Sequence, residues 1–334
     1  MDWSTGGGLT LDLPKKYVEL KVTKMTSRNK DMIIVDGGLS TELIRLGYPV
    51  DLDPLWTSTY LLKNPDALKK AHLSFIEHGA DVILTGTYQA SPELFEKEVG
   101  IGDGEFSKLM ATACDIARQA VLEFWEKQSQ SGRRKPVVAG SVGPYGACLH
   151  DFSEYHGNYV DNMTIEELKQ WHRPRMKALV EANIDLLALE TVPSIAEAEA
   201  LLALLQEFPT MKAWMTFYCK DQSHIGHGES LAEAISKASA CSQIIGVGVN
   251  CVPAENVTAL LQSATTSRNG KPFVVYPNAP GEQWIDDKVC GKTTAVEFDD
   301  LIPVWIEAGA RYIGGCCGTS ALDIKHLSEI ISNR

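Results

Sequence analysis

The chain has 334 residues, 44% of them hydrophobic, with eight cysteines and a formal net charge of −12. That acidic balance, with no Lys/Arg cluster interleaved with aromatics, speaks against a nucleic-acid partner, and Arg133-Arg134-Lys135, between Gly132 and Pro136, reads as a solvated loop. No apolar run approaches the roughly 18 residues a membrane span needs, and eight cysteines without a secretory signal indicate a reducing compartment, by default the cytosol.

Residues 1–30 read as a flexible extension. They carry Gly6-Gly7-Gly8 and mixed charges, with a short strand at Tyr17–Val22, and Asp2, Asp12 and Glu19 argue against a transit peptide. From residue 31 to 334 a single domain is expected, in which a short β-branched run, a turn and an amphipathic stretch recur. The predicted strands are Met32–Asp36, Asp81–Thr87, Pro136–Ser141, Asp185–Glu190, Ala213–Tyr218, Ile244–Asn250, Phe273–Pro277 and Arg311–Gly315. Most are near-continuous apolar runs, as parallel strands buried on both faces require.

Between and after them the predicted helices are Pro65–His78, Phe106–Lys127, Thr164–Ala182, Ser194–Phe208, Ser230–Cys241, Pro253–Ser263, Phe298–Ala308 and Ser320–Ile331. Asn64 suits an N-cap, and Thr164 with Glu167 reads as a capping box. Gly79, Asn183 and Gly309 stand just past helix ends, where a left-handed C-cap is expected. Eight β-then-α units predict a (β/α)₈ barrel of the TIM type. A doubly wound open sheet is the alternative, but Asp36-Gly37-Gly38-Leu39-Ser40 is not a dinucleotide fingerprint.

In such barrels the active site lies at the carboxyl ends of the strands. Those ends supply Asp36, Gly37 and Gly38; Thr87, Tyr88 and Gln89; Ser141 and Gly143; Glu190-Thr191; Asn250-Cys251; Tyr276 and Asn278; and Cys316-Cys317. Cys251 ends strand six and the cysteine pair ends strand eight, so three thiols lean toward one rim. Three thiolates suit Zn²⁺ and leave its fourth tetrahedral position open, as catalytic zinc sites do. The competing reading is that these cysteines are small buried hydrophobes. His224 and His227 read as solvated loop histidines, and no nucleophile elbow of a hydrolase triad is present.

These phrases resemble one family, the zinc- and homocysteine-dependent S-methyltransferases. The resemblance is carried by Asp36-Gly37-Gly38 with Ser40-Thr41-Glu42, Thr85–Ala90, Gly140-Ser141-Val142-Gly143-Pro144, Glu190-Thr191, Gly248-Val249-Asn250-Cys251 and Gly314–Ser320. It implies a (β/α)₈ fold and methyl transfer to homocysteine, giving methionine, with Zn²⁺ on Cys251, Cys316 and Cys317. It further implies that Asp36 and Glu190 hold the substrate ammonium, that the Gly37 and Gly38 amides take its carboxylate, and that Gln89 and Asn250 belong to the substrate site. Asp36 can alternatively be a loop-capping residue. The chain ends at Arg334, which resembles the compact branch that uses S-methylmethionine, or less readily S-adenosylmethionine, some members accepting selenocysteine. Betaine users are expected to carry an extra C-terminal arm.

Aromatic faces that could hold a sulfonium cation are sought in Tyr145, Phe152, Tyr155, Tyr159, Trp56 and Trp284. The expected partners are small molecules only, in a monomer or small homo-oligomer. The alternatives are a betaine-dependent enzyme, a barrel binding an acid or phosphate at Gly37-Gly38, and a non-catalytic zinc-binding barrel.

Overall fold

All eight expected strands form, and they pair into one parallel sheet. A computed structural model describes residues 31–50, 53–129, 132–280, 282–285, 288–292 and 297–333; the N-terminal extension lies outside these. The strands are Ile33–Ile34, Val82–Leu84, Val137–Val142, Leu186–Val192, Ala213–Phe217, Ile244–Asn250, Phe273–Tyr276 and Ala310–Ile313. Each is parallel to its neighbours, in the order first, eighth, seventh, sixth, fifth, fourth, third, second. A parallel bridge between Val35 and Val82 joins the two ends, so the sheet is the predicted barrel.

The first strand is shorter than expected, and the closing seam explains why. There two carboxylates take over part of the ladder: the Ile34 amide donates to Asp81 Oδ2 at 3.0 Å and the Leu84 amide to Asp36 Oδ2 at 2.8 Å. Asp36 therefore serves the backbone of strand two, a different task from capping its own loop.

The eight expected helices surround the barrel. The longest, Asp103–Gln128, buries Phe106, Met110, Cys114, Ala117, Val121 and Phe124, a spacing of three to four residues that lines one helical face. The caps form as the residue types require. Asn64 Oδ1 accepts from the Ala67 amide, Thr164 and Glu167 make the reciprocal capping box, and Gly79, Asn183 and Gly309 all have positive φ. A second capping box, Ser320 with Asp323, opens the last helix. The helices Leu39–Arg45, Tyr60–Lys63 and Pro92–Val99 and the hairpin Glu282–Ile285 with Lys288–Lys292 are additions that the strand–helix repeat does not foretell.

Three clusters divide the apolar residues; one, with Leu43, Tyr60 and Leu68, lies among the helices that follow the first strand, and the other two bear on the barrel. The larger fills the space between strands and helices. The smaller plugs the barrel itself with Val35, Val82, Ala139, Leu186, Ala188, Trp214, Val274, Tyr276 and Tyr312. Trp214 is its centre, with ring centroids 6.3 Å from Tyr276 and 6.0 Å from Tyr312. Side chains alternate faces along a strand. Two residues beyond Ala139, Ala188, Trp214, Gly248 and Val274, the inward positions are therefore Ser141, Glu190, Thr216, Asn250 and Tyr276. A polar layer thus lies directly on an apolar plug, at the carboxyl end of the barrel.

Candidate metal and substrate site

The polar layer is a connected hydrogen-bond network. The Ser141 hydroxyl donates to Glu190 Oε1, and Tyr276 also bonds the Glu190 carboxyl. The Trp214 indole N–H donates to Tyr276 Oη at 3.1 Å, Tyr276 Oη lies 2.8 Å from Thr216 Oγ1, and Thr216 donates to Asn250 Oδ1 at 2.7 Å. Asn250 Oδ1 also accepts from the Thr191 amide at 2.7 Å, while its Nδ2 donates to Thr191 Oγ1 at 2.8 Å. Asn250 thus spends its carbonyl and one amide hydrogen on its neighbours.

That clamp has a backbone consequence. Thr191 (φ 60°) and Cys251 (φ 54°), which directly follow Glu190 and Asn250, both adopt the left-handed conformation that side chains disfavour. Strand four shifts register there, between Leu189 and Val192, whereas strand six ends at Asn250, and the turn that follows sets the direction of the Cys251 side chain.

The three predicted thiols do converge. The Sγ atoms of Cys251, Cys316 and Cys317 all lie within 4.8 Å of one another, with Cys251 and Cys317 3.8 Å apart. Strand seven holds both cysteine loops in register. Its Tyr276 carbonyl accepts from the Cys251 amide at 3.2 Å, the Pro277 carbonyl accepts from the Cys316 amide at 2.7 Å, and the Ala279 amide donates to the Cys317 carbonyl at 2.9 Å. Cys251 is buried and the pair is half-buried. Hydrogen bonds from the other two thiols hold Cys317 well below the usual thiol range, while Cys251 and Cys316 are pushed up. Three crowded thiols repel one another's ionised forms, so all three ionise together only with a cation among them. Three soft donors at this spacing fit a thiophilic metal ion, and among the described residues no fourth His, Cys, Asp or Glu joins them.

The glycine pair and the Ser40-Thr41-Glu42 phrase brace this cluster from below. A Cβ at Gly38 would stand 2.5 Å from the Cys316 carbonyl oxygen, so only glycine permits the approach. The Gly38 amide donates to both the carbonyl and the hydroxyl of Thr319, at 3.0 and 3.1 Å. It is therefore engaged within the chain, which corrects the expectation that both glycine amides meet a substrate carboxylate. Thr41 Oγ1 accepts from the Gly318 amide, and Glu42, paired with Arg45, accepts from the Ala321 amide at the start of the last helix.

Burial dominates the carboxylates. Desolvation pushes Glu190 up to about 7, and it pushes Asp36 well above the usual carboxylate range, with Glu190 adding repulsion. Two neighbouring acids that resist ionisation are poised to receive a cation. Gln89 donates its Nε2 to the Ala147 carbonyl at 2.9 Å, and its Oε1 is buried with no partner among the described residues.

The homocysteine S-methyltransferase family model matches residues 33–331. Homocysteine S-methyltransferase YbgG of Bacillus subtilis is 39% identical over 300 residues, spanning 89% of this chain and 93% of that protein. The chain belongs to the homocysteine S-methyltransferase family. Another family member, named betaine-homocysteine S-methyltransferase, from Drosophila melanogaster, is 39% identical over 90% of this chain and 95% of its own length. Homocysteine methyltransferase MmuM of Escherichia coli, solved in a metallated form, superposes with a TM-score of 0.80 at 36% identity, covering 90% of this chain and 96% of that one. A relative bearing the betaine name is thus as compact as this chain, which overturns the expectation that length separates the donors.

Within this family framework the aromatic candidates sort themselves. Tyr145 and Tyr159 are committed to packing. Their rings are 5.1 Å apart, Tyr145 meets Trp171 at 4.9 Å, and Glu197 accepts from the Tyr145 backbone amide and the Tyr159 hydroxyl. Trp56 stands edge-on to Tyr88 at 6.4 Å. Tyr155 is the one beside the thiols, with Oη 3.9 Å from Cys251 Sγ. The Trp284 side chain lies outside the described residues.

Sequence reasoning missed a buried chain of charge beneath this face. The Arg175 guanidinium donates to the carbonyls of Tyr88 (2.7 Å), Ala90 (2.7 Å) and Gly143 (2.8 Å) and lies 3.2 Å from His172 Nδ1. His172 Nε2 faces Glu197 Oε1 at 2.8 Å. Arg175 thereby fixes the loops after strands two and three, which carry Gln89 and follow Ser141. Only its helical position was legible, inside the predicted Thr164–Ala182 helix.

Proposed function

We propose that the protein transfers a methyl group from a positively charged donor to the thiol of L-homocysteine, yielding methionine, with one Zn²⁺ held by Cys251, Cys316 and Cys317. The observation that carries this reading is the convergence of three thiols at the mouth of a barrel beside two buried, reluctant carboxylates. Zinc, when bound, supplies positive charge that deprotonates an incoming thiol at neutral pH.

The chain's own residues do the rest. Glu190, with Asp36 beside it, receives the substrate ammonium, whose charge relieves the cost of ionising both acids. Gln89 Oε1 offers a further acceptor. Asn250, Thr216 and Tyr276 position Glu190 and the turn into Cys251. In the transfer, the donor's bond to its methyl carbon breaks with its electron pair, and the acceptor sulfur supplies the pair for the new bond. The donor leaves neutral, and the thiol proton passes to solvent. No acid is needed for a neutral thioether to depart, whereas an amine is a poorer leaving group. This favours a sulfonium donor of the S-methylmethionine type, with S-adenosylmethionine second. The compact relative named for betaine keeps a quaternary ammonium donor as the second reading.

We assign the protein to the cytosol, as a monomer or small homo-oligomer acting on small molecules. Among the described residues no helix is long and apolar enough to cross a membrane. The test is a donor panel with homocysteine on zinc-loaded protein, following methionine by chromatography. S-Methylmethionine should lead, S-adenosylmethionine should be slower, and betaine and methyl-folate slower still; selenocysteine should serve as an alternative acceptor. Betaine as the best donor would replace the donor assignment. No methionine from any donor, with zinc present, would leave a non-catalytic barrel.

A further inference from the structure

We propose that Tyr155 and Tyr218 form the subsite for the onium centre of the methyl donor, on the Cys251 side of the thiol cluster. This rests on the methyl-transfer reading above. Tyr155 closes the short helical turn Ser153–Tyr155 in the loop after strand three, and Tyr218 directly follows strand five. Their ring centroids are 4.8 Å apart with a 52° tilt, so the two rings pack against each other as one aromatic wall bordering the space beside Cys251. The Tyr155 hydroxyl lies 3.9 Å from Cys251 Sγ. Phe152, 46% exposed, stacks on Tyr155 at 6.4 Å and 14°, continuing the aromatic surface from the thiols out to solvent.

The charge pattern favours a cation in that space. Ring faces carry the negative end of the aromatic quadrupole and attract onium groups. The Glu154 carboxylate is a charge neighbour of Tyr155. Glu190 and Asp36 are charge neighbours of each other, and Glu190 of Cys317. The cluster thus has an amino-acid pole around Glu190 and an aromatic pole at Cys251. An acceptor sulfur brought to the thiols stands between its own ammonium clamp and the donor methyl.

Tyr155 is also held in place. Its carbonyl oxygen lies 2.5 Å from where a Cβ would stand on Gly226, so the loop after strand five packs directly against it. His227 of that loop reaches Asp161 at 3.1 Å, while Tyr145 and Tyr159 tie the remainder of the Tyr155 loop to Glu197. After transfer the donor is a neutral thioether that no longer gains from the rings. The same two tyrosines therefore favour donor entry and product exit.

Calorimetric titration of zinc-loaded protein without homocysteine tests this, since no reaction then occurs. The probes are S-methylmethionine, glycine betaine and, as the neutral control, methionine. Tyr155→Leu and Tyr218→Leu should each weaken S-methylmethionine binding about tenfold, equivalent to about 1.4 kcal/mol. Tyr155→Phe, which keeps the ring, should stay within about threefold, and methionine affinity should hardly move. Betaine weakened in parallel would show that the subsite reads positive charge; betaine that does not bind would show that it reads sulfonium. Unchanged onium affinity in both leucine variants, or equal losses for methionine and S-methylmethionine, would overturn the proposal. A protein that shows this tyrosine dependence but transfers no methyl keeps the subsite and loses the proposed reaction. One that transfers methyl while both leucine variants keep the donor KM does the reverse.

Discussion

Replacing Glu190 by Gln separates the cost of this carboxylate from its use. Burial raises its pKa from the ordinary 4.5 to about 7. In an unfolded chain it ionises near its ordinary value, so between those two values the unfolded state holds fewer protons than the folded one. Stability is then complete below pH 4.5 and is lost as pH rises through 7. At about 1.4 kcal/mol for each pH unit the full loss is about 3 kcal/mol. Asp36, pushed up by the same burial and by Glu190 itself, is relieved when that charge disappears, which acts in the same direction. Glu190→Gln keeps the shape and can still accept from Ser141. Metal-free Glu190→Gln protein should therefore gain about 3 kcal/mol over the parent at pH 8 and little at pH 4.5, measured by urea unfolding. Comparing the two proteins at both pH values cancels the other titrating groups. On zinc-loaded protein the same variant should bind homocysteine roughly 10- to 150-fold more weakly, the loss of a charge-assisted hydrogen bond worth about 1.5–3 kcal/mol, with zinc content unchanged. A stability difference that does not grow with pH, or an unaltered homocysteine Kd, would refute the assignment of Glu190 as a buried clamp waiting for a cation.

Cys251→Ala, Cys316→Ala and Cys317→Ala should each lose most bound zinc, read by elemental analysis, and most activity, while circular dichroism remains that of the folded barrel; full activity in any one would remove that residue from the ligand set. Peroxide or a strong chelator should abolish methionine formation, and reductant plus zinc should restore it, because thiolates released from a metal are open to oxidation; activity that persists after proven metal removal would end the zinc-dependent reading. Arg175→Leu should cost about 3–5 kcal/mol in urea unfolding, since it leaves the Tyr88, Ala90 and Gly143 carbonyls without their donor and Glu197 without its buried counter-charge. A cost under about 1 kcal/mol would show that these loops are held by other contacts.

Much of the barrel was legible in the chain because its signals are local. Apolar runs such as Ile244–Asn250 mark strands, and cap residues such as Asn64 and Thr164 mark helix starts, within a few positions of the effect they cause. The three thiols were readable for a related reason. Once strand ends are known, barrel geometry alone carries Cys251 and the Cys316-Cys317 pair to one rim. Tertiary structure alone decided what depends on partners far apart in the chain. Asp36 turned out to accept from Leu84 across the seam, Gly38 to be engaged by Thr319, the Tyr159 hydroxyl to be spent on Glu197 and the Tyr145 ring to pack on Trp171. Tyr218 drew no notice until strand five placed it against Tyr155, and Arg175 looked like any helical arginine until three loop carbonyls closed on it. The physical reason is common to all of them. Burial and pairing set whether a polar group is used up or left available, and both depend on which distant segments the closed barrel brings together.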